Sequence, residues 1–119
     1  MTIRGQFKVD VYDCTINIIV SDHAKQSLNY YLIKSGDKPL EYDFDGFCFR
    51  PGESVSSYYV FFDLETICVN TYNHEKSHLV EYILTDRSIS PKNEVRSYLD
   101  GFISKKMNEF FIKKKIKMK

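Results

Sequence analysis

His74, Glu75 and His78 stand in the order His-Glu-x-x-His within an apolar-rich stretch between Leu64 and Leu84. On a helix of about 3.6 residues per turn, side chains four apart leave the same face, so both imidazoles can meet one cation. Glu75, offset by about 100°, flanks such a cation rather than binding it. Zinc with two His and one further protein ligand keeps a position for water, whose pKa it can lower to about 7. Glu75 is placed to take that proton. With three His and seven Glu in 119 residues, roughly 0.004 matches to the pattern are expected by chance. The plainer alternative is a solvated helix face carrying the same three side chains without metal.

Two His require a third anchor, and the candidates are Glu81, Asp86 and Glu94. Glu81 points the same way as His74 but lies more than one turn beyond a metal held between His74 and His78, which suits a supporting or solvated role. Asp86 is roughly 12 Å along the helix from His78, out of reach unless the helix ends early. Glu94, in the first turn of the next helix, can fold back if residues 85–90 reverse the chain and the first helix stops near Leu84. Tyr98, one turn beyond Glu94, could then orient the carboxylate or face substrate, or be a core aromatic only. Gly101 would permit close approach of the helices.

Elements must hold these side chains. Phe7, Val9 and Val11, then Ile16, Ile18 and Val20, alternate with polar residues over residues 6–20, giving two short strands or one bulged strand. Ser21 or Asp22 can cap a helix burying Leu28, Tyr31 and Leu32, with Gly36 as its stop. Tyr42, Phe44, Phe47 and Phe49 continue a period of two around a turn or bulge at Asp45-Gly46. Residues 56–62 are dense in β-formers, and Asp63 looks like an N-cap. A helix over about 64–85 then carries Ile67, Cys68, Thr71, His74, Glu75, His78 and Tyr82 on one broad face. Ser90-Pro91 opens a second helix over about 91–115, with Val95, Tyr98, Leu99, Phe102, Ile103, Phe110 and Ile112 at helical spacing.

The chain of 119 residues fits one domain, strand-rich over 1–63. A net charge of +1 does not by itself suggest nucleic acid or membrane. Cys14, Cys48 and Cys68 are widely spaced, indicating neither a disulfide framework nor a thiolate zinc site, so a reducing compartment is the simplest reading. The N-terminal residues lack a signal-peptide core, and no apolar run is long enough to span a membrane. The lysine-rich residues 113–119 read as a solvated, frayed helix end, a weak footprint for nucleic acid or a membrane surface.

His74-Glu75-x-x-His78 followed by Asn93-Glu94-x-x-x-Tyr98-Leu99-x-Gly101 resembles a group of small phage-encoded metallopeptidases of minimal zincin type, over about residues 56–105. The resemblance implies an α+β fold in which a small mixed or antiparallel sheet packs on the His-Glu-x-x-His helix and a following C-terminal helix. It implies zinc held by His74, His78 and Glu94, with Glu75 as general base, in the cytoplasm of a bacterial host. Lys76-Ser77 departs from the commoner members, and a Lys there is expected to point outward. The matching activity is hydrolysis of a peptide or protein substrate. Tyr98 is the leading oxyanion donor, with Arg50 or Arg87 behind it; residues 56–62 fall where zincins keep a sheet edge, to which a substrate strand could add, or they are a plain structural strand. The competing reading is a zincin-shaped phage binding or assembly protein without turnover.

Overall fold

The computed structural model describes residues 1–52, 56–90, 92 and 94–119. Ile3, Phe7 and Val9 alternate with Arg4, Gln6 and Lys8 to give strand β1 (Thr2–Val9), which pairs antiparallel with β2 (Cys14–Ser21). One 3-10 turn, Asp10–Tyr12, joins them and ends on Asp13 in the left-handed region, φ 49°. Of the two sequence readings, two separate strands therefore holds.

Helix α1 (Ala24–Lys34) buries Leu28 and Leu32, with Tyr31 packed beside them, and gives way to Gly36 at φ 83°. His23 occupies the N-cap position, and its backbone N–H donates to Ser21 Oγ at 2.9 Å. The chain then forms β3 (Gly46–Phe49) and β4 (Ser57–Asp63), which pair antiparallel. Tyr42 and Phe44 lie outside the strand, and Tyr42 is exposed.

After α1 the chain runs down β3 and back along β4, so β4 pairs parallel with β2, and the strand order is β1-β2-β4-β3. The expected edge position of residues 56–62 is therefore corrected. β4 is an interior strand, and β1 and β3 are the edges. The fold is α+β, a four-stranded mixed sheet followed by two C-terminal helices. One sheet face, with Ile16, Ile18, Val20, Tyr58, Val60 and Phe62, packs in one core with the two C-terminal helices; the other, with Ile19, Phe49 and Phe61, takes α1.

Helix α2 (Val69–Asp86) starts five residues later than expected. Asp63 does cap, but its Oδ1 accepts from the N–H groups of Glu65 and Thr66 at 2.8 and 3.2 Å, closing a turn. Ile67 is fully buried, and Cys68 is extended at φ −142° and ψ 169°, so the helix begins only after them. Helix α3 (Val95–Lys113) buries Leu99, Ile103, Met107 and Phe111. Tyr98, Phe102 and Ile112, expected on that face, are exposed, and Gly101 meets open space rather than a neighbouring helix. Pro91, the expected first helical residue, lies outside the described residues.

The end of the chain also departs from expectation. After Lys115 at φ 56°, the Ile116 N–H donates to the Phe111 carbonyl and the Lys119 N–H to the Ile67 carbonyl, both at 2.9 Å. Ile116 and Met118 pack against the main core. The tail is docked, because its two apolar side chains gain more from the core than from water. Among the described residues no helix is long and apolar enough to cross a membrane.

Candidate functional site

The site forms where α2 crosses the start of the edge strand β3. Gly46 makes this possible. A Cβ at that position would lie 2.7 Å from Thr71 Cγ2 and 2.8 Å from Glu75 Cγ, so only glycine lets the helix approach so closely. Glu75 is consequently pressed under the strand and only 6% exposed. Burial pushes its carboxyl pKa above the usual carboxylate range, against the lowering effect of His74, His78 and a hydrogen bond from the Cys48 backbone.

One turn apart on the outer side of α2, the two imidazoles face each other. Their Nε2 atoms are 3.0 Å apart, with the rings nearly perpendicular at 88°. At that separation one imidazole can donate an Nε2–H to the other, the direction set by the tautomers. His74 Nε2 is 3.9 Å from Glu75 Oε2. A shallow hollow opens here, lined by Asp45, Gly46, Asn70, Thr71, His74 and Glu75. His74, Glu75 and His78 are thus together, as the spacing required.

The remaining candidates are elsewhere. Glu94 is exposed at the N-cap position of α3, its carbonyl accepting from the Ser97 N–H at 3.0 Å. Among the described residues no group of three or more His, Cys, Asp or Glu is gathered to hold a metal ion, so Glu94 does not join the two imidazoles. α2 does end close to Leu84, at Asp86, yet Glu94 stands exposed at the start of α3. Glu81 faces Arg96 at 3.7 Å across the two helices. Asp86 is claimed by Arg50 and by the Tyr58 hydroxyl, which donates to it at 2.6 Å.

Tyr98, expected as the oxyanion donor, lies away from the histidines. It is 74% exposed and lines an apolar groove between the β1–β2 turn and α3, which shares no lining residue with the histidine hollow. Arg50 and Arg87 are likewise committed away from it. Arg87 donates to the Tyr12 carbonyl at 2.8 Å and to the Tyr58 hydroxyl at 3.0 Å, alongside the Arg50–Asp86 pair. Burial first, and then the bond to Asp86, push the Tyr58 phenol up to about 12. Lys76 does not point outward. It reaches α3, with Nζ 2.7 Å from Ser104 Oγ and 3.2 Å from Asp100.

The residues that sequence reasoning missed are Asp45, Gly46 and Thr71. Asp45-Gly46 reads as a turn, and only the pairing of Gly46 with Phe62 on β4 turns it into the start of the cleft wall. The Asp45 carboxylate accepts from the Thr66 hydroxyl at 2.8 Å, which ties the strand entrance to the turn before α2. No family model, no curated protein and no solved structure matches the chain.

Proposed function

We propose that the chain is a zinc-dependent metallopeptidase of minimal zincin type. The observation carrying this reading is the convergence of His74 and His78 Nε2 at 3.0 Å beside the buried carboxyl of Glu75. Two zinc–nitrogen bonds of about 2.0–2.1 Å at a tetrahedral angle require nitrogens about 3.3 Å apart, so the pair fits two corners of such a site after a small adjustment. Glu94 is the proposed third ligand, which requires its carboxylate to leave its present exposed position. A zinc ion held there supplies Lewis acidity and lowers the pKa of bound water.

Glu75 is the proposed general base. A carboxylate made more basic by burial accepts a proton more readily and can pass it to the leaving amine. The edge strand that could take an extended substrate is β3, whose outer side has no strand partner among the described residues. The test is zinc analysis of the purified protein together with cleavage of a mixed peptide library by wild type and Glu75→Gln. Bound zinc in both, with turnover in wild type falling by about 10²-fold or more in Glu75→Gln, supports the reading. Equal cleavage by both removes Glu75 as the base.

The second reading is a zincin-shaped binding or assembly protein without turnover. It is favoured by the positions of Glu94 and Tyr98, both outside the hollow that holds His74 and Glu75. Retention of zinc by both proteins with cleavage by neither selects it.

A further inference from the structure

The docked tail makes the C-terminal lysines a fixed surface. Residues 105–119 contain seven lysines and one glutamate in a chain whose net charge is only +1, so the positive charge is concentrated here and the remainder is acidic. Among the described residues, the ion pairs involve none of these seven lysines. Their field is therefore not cancelled locally.

Part of this surface is concave. A Cβ on Gly5 would stand 2.4 Å from the Phe110 ring, so the missing side chain lets Phe110 settle on β1 and draws α3 along that edge strand. Between them runs a groove lined by Arg4, Lys106, Lys113 and Lys114, with Glu109 as its one carboxylate. A second hollow shares Arg4, Gly5, Gln6 and Ile18 with it and continues to Tyr31 and Tyr59. These two rings are 4.8 Å apart between centroids, and the Arg4 guanidinium donates to the Tyr31 hydroxyl at 3.2 Å. Cations thus lead into a pair of aromatic rings that are only partly buried.

We propose that this groove binds single-stranded nucleic acid, with phosphates following Arg4, Lys106, Lys113 and Lys114 and bases stacking against Tyr31 and Tyr59. A cationic track joined to aromatic platforms is the combination that single strands use, because every base has a stacking face. The path turns around the β1 edge from one sheet face to the other. A flexible strand can follow that turn, whereas a duplex with a persistence length of about 150 base pairs cannot. A flat bilayer could touch the outer lysines but not the recessed tyrosines.

The test is fluorescence anisotropy of a labelled oligothymidylate of about 15 nucleotides with the full chain at several salt concentrations. Saturable binding is expected, with log affinity falling against log salt with a slope of about −3 for four phosphate contacts. Lys113→Ala with Lys114→Ala should weaken binding about tenfold and flatten the slope. Tyr59→Leu and Tyr31→Leu, checked for folding by circular dichroism, should each weaken it severalfold at unchanged slope. His74→Ala should bind as wild type, since the groove owes nothing to the histidine site. The proposal is overturned by absence of binding at low salt, by equal affinity for duplex, or by capture on phosphatidylserine vesicles without oligonucleotide binding. Loss in the lysine variant with neither tyrosine variant affected would also overturn it.

Discussion

Glu75 lies so close beneath Gly46 that a Cβ on residue 46 would stand 2.8 Å from Glu75 Cγ. The contact joins the start of the edge strand to the middle of the helix that carries both histidines. It also shields the carboxyl, as its 6% exposure records.

Gly46→Ala should therefore be a site mutation as much as a stability mutation. Thr71 Cγ2 is equally close, at 2.7 Å, so the new methyl is met from two sides and either the strand or α2 must shift. Overpacking of this kind costs about 1–3 kcal/mol. Urea denaturation should show that loss, and the His74 and His78 ring resonances should move in an NMR spectrum. Unchanged stability with unchanged resonances would mean that the strand and helix are not in this contact.

The three cysteines should separate by reactivity. Hydrogen bonding to the Thr71 side chain lowers the Cys68 thiol pKa, with the Thr71 and Asn70 backbone groups adding to it, whereas burial raises Cys14 and Cys48. A lowered pKa means more thiolate at a given pH, so Cys68 should be alkylated first and its rate should rise at lower pH than for an ordinary thiol. Thr71→Val should shift that rise upward. Peptide mapping after timed iodoacetamide treatment checks both expectations, and simultaneous modification of all three would contradict them.

The sequence pattern revealed the strands and helices better than their neighbours. Alternation placed β1 and β2, and the Tyr-Tyr-Val-Phe-Phe run placed β4. That same run carried a signal for its interior position, since a strand buried on both faces reads as continuous apolar residues rather than alternating ones. Tyr58, Val60 and Phe62 fill one core and Phe61 the other. His74, Glu75 and His78 were legible because their relation is local to one helix. Glu94 was not, because its position depends on how the chain leaves α2. There Ser88 adopts φ 58°, and the Ile89 N–H returns to the Leu84 carbonyl at 2.9 Å. Spacing does not encode such a reversal.

Asp86 is expected to matter for stability rather than for metal. Its carboxylate is 8% exposed and receives both Arg50 and the buried Tyr58 hydroxyl, so it links the end of β3, the end of α2 and the interior strand β4. Asp86→Ala leaves a guanidinium and a phenol without their acceptor, at a cost of about 3–5 kcal/mol for breaking such a pair. Arg50→Ala should cost less, because its side chain is 34% exposed and water can replace part of its role around the remaining carboxylate. The two should be non-additive in a double-mutant cycle measured by denaturation. Zinc content should be the same in both single variants. A fall in zinc without a fall in stability for Asp86→Ala would return Asp86 to the list of ligands.

Removal of residues 116–119 tests whether the tail belongs to the fold. Lysines dominate its appearance, yet Ile116 and Met118 alternate with Lys115, Lys117 and Lys119, the pattern of an extended segment with one apolar side. That side rests on the main core, and the Lys119 N–H closes on the Ile67 carbonyl just before α2 begins. Partial burial of these two side chains, with the backbone hydrogen bonds of Ile116 and Lys119, holds the segment against the entropy of fixing it. The truncated chain should therefore unfold at a lower urea concentration. Amides at the start of α2 should exchange faster with solvent, because the segment after Ile67 loses its cover. Ile116→Ser with Met118→Ser should reproduce most of the loss while keeping every lysine, whereas Lys117→Ala with Lys119→Ala should leave stability within about 0.5 kcal/mol of wild type. If truncation and the serine pair both leave stability and exchange unchanged, the tail is not held as described. If the lysine pair costs as much as the serine pair, charge rather than apolar burial holds it.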